Sequence, residues 1–227
     1  MNNNLIIMLT YNDVTVSDAI DVFETSKNIP VKFWGFKDIG LNKPHMKQLV
    51  QKMRAVGKTT FLEVVHYEES ECIEATKLAL ECGFDYLTGT ICFDSIIDIV
   101  KNENIKYFPF FGKIYDHPVT LGGTVDEIIE HGKKLKDKGV DGLDLVAYRY
   151  ECSEKIQELI DRCVKEIDLP LILAGSINDW ERIKLTTKAN LWAFTIGSAF
   201  FDKKFVKGGL FNDQIVAVSD KLKRLGQ

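Results

Sequence analysis

The sequence predicts an α/β fold, a single (β/α)8 TIM barrel spanning residues 1–227, and three observations carry the prediction. Short apolar runs rich in β-branched and aromatic residues alternate with longer helical patterns eight times, as parallel βαβ units require. The 227 residues suffice for one sizeable core and fit one such barrel, which tends to run slightly longer. Two successive strand patterns near the end, Leu171 to Ala174 and Leu191 to Ile196, each close on a Gly-Ser pair. No linker or low-complexity tract divides the chain, and an open doubly wound sheet is the alternative arrangement of the same elements.

Strand one covers Leu5 to Thr10, and a helix follows from Ser17, whose hydroxyl can cap it, through Lys27, with Ala19, Ile20 and Phe23 on one face. Pro30 ends the next loop and strand two runs from Val31 to Lys37. Asp38-Ile39-Gly40 leads to a helix with Pro44 in its first turn and Gly57 at its close. Strand three, Thr59 to Val65, ends in His66-Tyr67, and its helix carries Ile73, Ala75, Leu78 and Ala79 before Gly83. Strand four, Tyr86 to Thr90, precedes a short helix around Ile96 to Val100. Strand five spans Lys106 to Lys113. The ten residues after it, Ile114 to Gly123, are long for a βα connection and are expected to be functional or to cover the barrel mouth. Thr124 with Glu127 forms a capping box for the next helix. Strand six, Leu143 to Tyr148, leads to a helix from Ser153 to about Ile167. After strands seven and eight, a helix from Phe211 to Leu225 closes the outer ring.

With 45% hydrophobic and 27% charged residues and a net charge of -4, the composition is that of an ordinary globular protein with no basic footprint for nucleic acid. The early apolar run Leu5 to Leu9 follows three asparagines and is too short for a signal segment or a membrane span, so no membrane partner is expected. Five cysteines, an odd number without CxxC spacing, read as reduced thiols in a cytoplasmic protein.

The two Gly-Ser turns, Gly175-Ser176 and Gly197-Ser198, form the first candidate site. Backbone free of side-chain bulk at adjacent strand ends can bring several N–H donors onto one anion, and the helix starting near Asn178 or Asp179 adds positive potential. Late in a barrel, this is where phosphate binds.

Charged residues at strand ends face the mouth, because the outer strand faces lie under helices. Side-chain parity turns Glu63 inward with Phe61 and Val65, and Lys113 inward with Pro109 and Phe111; Lys37 and Asp144 complete the candidate catalytic set, with Asp144 deepest. Such a set can supply groups with shifted pKa values for proton transfer, or it can be a buried ion-pair network. Asp13, His66, Thr90 and Arg149, at or just past strand ends, are candidate substrate contacts, and Tyr148 and Tyr150 flank Arg149 as a lip. His117 sits in a loop, His45 and His131 lie on helices, and Cys92 reads as a buried thiol. No three mouth histidines or His/carboxylate spacing calls for a metal, and no cofactor is expected.

LILAGSIND followed by FTIGSAFF resembles the last two strands of the phosphate-binding barrel superfamily, which includes histidine- and tryptophan-pathway sugar-phosphate isomerases and ribulose-phosphate epimerases. The resemblance covers roughly the last third of the chain. It implies phosphate contacts from Ala174, Gly175, Ser176, Gly197 and Ser198. Those histidine-pathway enzymes hold a second phosphate with a glycine pair after strand three, where this chain has Glu63-Val64-Val65-His66, so a bisphosphate substrate is disfavoured. They also carry an acidic residue on strand five, where this chain has Lys113.

The resulting expectation is an enzyme acting on a small monophosphorylated metabolite by proton transfer next to a carbonyl: an isomerase, an epimerase or an aldolase-type lyase. Glu63 or Asp144 would be the base, and Lys113 or Lys37 would stabilise an enolate oxygen or form a Schiff base. A homodimer is compatible with this reading. A phosphate-ligand sensor without catalysis is the alternative function on the same barrel.

Overall fold

The structure is a computed structural model and describes residues 4–225. Eight parallel strands form one sheet: β1 (Asn4–Met8), β2 (Phe33–Lys37), β3 (Thr59–Val64), β4 (Tyr86–Gly89), β5 (Lys106–Phe108), β6 (Leu143–Leu145), β7 (Leu171–Leu173) and β8 (Ala193–Ile196). Each pairs with its sequence neighbours except across β5 and β6, and β8 returns to pair with β1. The seam between β5 and β6 is held by a bridge from Phe110 to Asp144, with the Asp144 N–H donating to the Pro109 carbonyl at 2.9 Å. The sheet therefore closes into a (β/α)8 barrel rather than remaining open.

Helices α1 (Ala19–Ser26), α2 (Lys43–Ala55), α3 (Glu69–Cys82), α4 (Asp94–Val100), α5 (Val125–Asp137), α6 (Ile156–Glu166), α7 (Trp180–Lys188) and α8 (Phe211–Leu225) form the outer ring, with a four-residue helix Ser198–Phe201 after β8. Among the described residues no helix is long and apolar enough to cross a membrane. Local chemistry sets the helix ends. Asn42 accepts from the His45 N–H ahead of Pro44, Gly83 ends α3 at φ +80°, and Thr124 and Glu127 make the full capping box of α5. Ser17 does not cap α1; that helix starts after Asp18, and its entry turn is closed by the Ala19 N–H on the Val16 carbonyl.

Alternation along the strands splits the core in two. Leu5, Ile7 and Leu9 pack outward under the helices, while Ile6 and Met8 pack inward with Phe61, Phe108, Ile172 and Ala193. Aromatic rings fill the interior at the N-terminal end of the barrel. Phe61 stacks on Tyr86 at 4.4 Å between centroids, and Trp192 lies 5.2–5.6 Å from Phe108, Tyr86 and Phe33. A Cβ on Gly35 would stand 2.9 Å from the Phe61 Cβ, so β2 needs glycine there to admit the plug.

Three strands end two or more residues earlier than their sequence patterns suggest. Strand one stops at Met8, and Thr10–Tyr11 instead pairs with Val14–Thr15 in a hairpin. Strand five stops at Phe108, because Pro109 has no N–H to donate and Gly112 turns at φ +83°. Strand six stops at Leu145, and Ala147–Arg149 forms a 3-10 turn. The long connection after β5 folds into a second hairpin, Lys113–Tyr115 with Thr120–Gly122.

The ring plug yields a stability test. Phe61→Ala should lower the unfolding free energy by about 3–5 kcal/mol, because the rigid rings around it cannot collapse into the space. Urea denaturation measures it, and a loss below about 1 kcal/mol would contradict the plug.

Candidate active site

The C-terminal ends of the strands surround a pocket of about 200 Å³ whose lining includes Asp13, Lys37, Glu63, Arg149, Gly175-Ser176 and Gly197-Ser198. Lys37 and Glu63 occupy equal heights on adjacent strands. Lys37 is only 6% exposed, and its Nζ lies 2.7 Å from Asp13 Oδ1 and 3.7 Å from Glu63 Oε1. Burial by itself disfavours the ammonium, but the Glu63 and Asp13 carboxylates outweigh it and hold the lysine above its ordinary range.

Asp13 reaches this position through a two-residue turn. Asn12 and Asp13 both have positive φ, 49° and 62°, the type I′ geometry that a tight hairpin requires and that Asn and Asp tolerate. Thr15 ties the hairpin to β2: its Oγ1 donates to the Lys37 carbonyl at 2.7 Å and lies 2.9 Å from the Lys37 N–H. Burial raises the Asp13 carboxyl, but the Lys37 charge and hydrogen bond, with Arg149, bring it below its usual range.

Asp144 lies deeper, facing inward from β6 at 1% exposure. Burial pushes its carboxyl well above the ordinary range and Glu63 adds to the rise, against partial relief from Lys37 and a Gly89 N–H. Its Oδ1 has no hydrogen-bond partner. Burial thus disfavours Asp144 as an anion, and the carboxylates that line the pocket itself are Asp13, Glu63 and Asp202. Asp144 does not line the pocket, whereas Glu63 does.

The two Gly-Ser turns meet on the opposite wall. Gly175 and Ser176 have φ of 78° and 58°. Arg149 lies over them, with Nε 3.2 Å from Ser176 Oγ and Nη2 3.8 Å from Asp13 Oδ1. A Cβ at Gly197 would approach the Thr10 carbonyl oxygen to 2.9 Å, so that glycine is also required by the crossing of β8 past the first hairpin. Asp179 caps α7 by accepting the Arg182 N–H at 2.8 Å, so that first-turn donor is already occupied. The Ala174 N–H is likewise taken, by the Leu145 carbonyl at 2.9 Å.

Several sequence expectations need correction. Lys113 is not an inward strand residue: β5 ends at Phe108, and Lys113 stands exposed on the second hairpin with its ammonium over the Tyr115 ring. Thr90 is buried, but its Oγ1 pairs with Tyr107 OH at 2.7 Å in the layer outside the barrel. Tyr148 and Tyr150 turn away from the mouth, to the Arg182 and Gly123 carbonyls at 3.2 and 2.7 Å, and only Arg149 of that triplet enters. His66 lines a neighbouring recess, with Nε2 2.7 Å from Asp38. Burial raises the Cys92 thiol. His131 accepts the Gly112 N–H at 2.9 Å, and His45 lies against Asn42. Among the described residues no three His, Cys, Asp or Glu side chains gather as a metal site.

The sequence reading missed Thr195, Asn178, Asp202 and Arg182. The first three line the pocket, and Arg182 donates to the Ser176 carbonyl. Inward parity with Gly197 could have flagged Thr195, and a first-turn position beside the Gly-Ser turn could have flagged Arg182.

No family model matches the chain, and no curated protein matches its sequence. Its fold is similar to those of thiamine phosphate pyrophosphorylase from Pyrococcus furiosus (14% identity, 96% of each chain, TM-score 0.63) and N-acetylmannosamine-6-phosphate 2-epimerase from Clostridium perfringens (12%, 89% of this chain and 91% of that one, 0.65). It is also similar to orotidine 5'-phosphate decarboxylase from Lactobacillus acidophilus (13%, 99% of each chain, 0.63).

The Lys37 cluster makes stability depend on pH at both ends of the range. Asp13 is depressed in the fold, so its contribution is present above the ordinary aspartate range and lost as pH falls through the depressed value. Lys37 is raised, so its contribution holds below the ordinary lysine range and is lost as pH climbs through the raised value. Lys37→Met, which leaves two carboxylates facing each other, should cost about 3 kcal/mol at neutral pH. The deficit should shrink in acid as the carboxylates protonate. A deficit that is independent of pH would contradict the ion-pair geometry.

Proposed function

We propose that this barrel is an enzyme for a small monophosphorylated substrate, performing proton transfer next to a carbonyl as an isomerase, an epimerase or an aldolase-type lyase. One observation carries the reading: a buried ammonium and a carboxylate at equal height, Lys37 and Glu63, border the same pocket as the two Gly-Ser turns. The phosphate is taken by backbone N–H groups of Gly175, Ser176, Gly197 and Ser198, with Arg149 supplying the charge. That anchor presents the carbon skeleton to the opposite wall. Glu63 removes the proton α to the carbonyl, and the Lys37 ammonium stabilises the enolate oxygen that forms.

The raised Lys37 favours this electrostatic role over Schiff-base formation, which needs a neutral amine. The names of the structural neighbours, a phosphate pyrophosphorylase, a 6-phosphate epimerase and a 5'-phosphate decarboxylase, fit a phosphorylated substrate.

A panel of aldose, ketose and keto-acid monophosphates incubated in D2O tests the proposal by NMR. At least one member should exchange the hydrogen next to its carbonyl. Glu63→Gln should slow that exchange about 100-fold or more while the ligand still stabilises the protein thermally. Borohydride should trap no adduct. Thermal stabilisation without exchange would assign a sensor, and a borohydride adduct on Lys37 would replace the electrostatic role with a covalent one.

A further inference from the structure

A second cavity, of about 470 Å³, opens on the other side of the Lys37–Asp13 pair, and those two residues line both spaces. Its walls come from the loops after β2 and β3. Apart from Lys37, its lining contains no lysine or arginine. Asp38, with a side chain only 8% exposed, fixes His66 through the 2.7 Å contact to Nε2, and His66 Nδ1 faces Glu71 Oε2 at 3.8 Å. Glu68 and Glu71 edge the opening, while Val14, Ile39 and Val65 supply apolar wall. Tyr67 and His117 lie with ring centroids 5.1 Å apart.

We infer that this recess is the second half of the substrate site and receives a basic, amine-bearing end of the phosphorylated molecule. The inference rests on the phosphate reading of the Gly-Ser turns and adds the chemistry at the other end of the substrate. With Lys37 neutralised by Asp13 and Glu63, and Asp38 engaged with His66, the charge facing an entering group is that of Glu68 and Glu71. A second phosphate or a carboxylate would be repelled there. An ammonium would find carboxylate acceptors and the face of Tyr67. The arrangement thus offers opposite charge to the two ends of a substrate, with Lys37 and Asp13 lining both spaces.

Isothermal titration calorimetry at pH 7 and low salt tests this with inorganic phosphate and three probes of equal chain length: aminobutyl phosphate, hydroxybutyl phosphate and butanediyl bisphosphate. The amine should bind about fivefold tighter than the alcohol, as for one partly exposed charge pair, and the bisphosphate weakest. In the double variant Glu68→Gln, Glu71→Gln, both exposed positions, the amine preference should vanish while inorganic phosphate binds as before. Equal binding of amine and alcohol, tightest binding of the bisphosphate, or a preference that survives the double variant would overturn the inference and leave the phosphate site standing. Failure of inorganic phosphate and all three probes to bind would overturn both.

Discussion

The mouth of this barrel depends on one constraint: the ammonium of Lys37 is almost wholly out of water and must be neutralised by carboxylates. Glu63 comes with the strand register, because β2 and β3 pair Lys37 with Glu63 directly. Asp13 does not. It is delivered by a hairpin folded over the end of β1, held down by Thr15 on the Lys37 backbone and by the Thr15 N–H on the Ile39 carbonyl at 3.0 Å. A Cβ on Gly40 would stand 2.2 Å from the Thr15 carbonyl oxygen, so the loop after β2 is pressed against the same hairpin. Arg149 reaches Asp13 from β6 and Ser176 from β7, linking the cluster to the Gly-Ser turns. Removing the lysine would unbalance groups on several strands at once.

The barrel interior divides by depth. At the N-terminal end, aromatic rings exclude water and fix the spacing of the strands. At the C-terminal end the lining is polar and open. Asp144 sits at the boundary, where burial, and after it the Glu63 charge, pushes its carboxyl well above the ordinary range. Buried charges contribute little net stability compared with apolar packing of the same volume.

The sequence made the barrel legible because parallel strands under helices are written as apolar runs punctuated by glycines and caps. The start of α8 at Phe211 and the Thr124 capping box were readable in the sequence. Lys37 was found as a charged strand end and Glu63 by period-two parity, which holds while a segment remains a strand. Lys113 was misjudged where that condition fails: Pro109 and Gly112 end the strand, and parity cannot be carried beyond them. Thr90 was misjudged for a related reason, since Gly89 and Thr90 both turn to positive φ and reverse the direction of the side chain. The Asp13–Lys37 contact spans 24 positions and rests on a tight turn followed by a two-residue strand, too short to leave a periodic signal.

The central claim is that an anion is held between the two turns, opposite Lys37 and Glu63, and a crystal structure grown in phosphate tests it most directly. The account predicts one ordered phosphate within hydrogen-bond distance of the backbone N–H groups of Ser176 and Ser198 and of the Arg149 guanidinium. Phosphate ordered elsewhere at the barrel mouth, with those turns occupied by water alone, would contradict it.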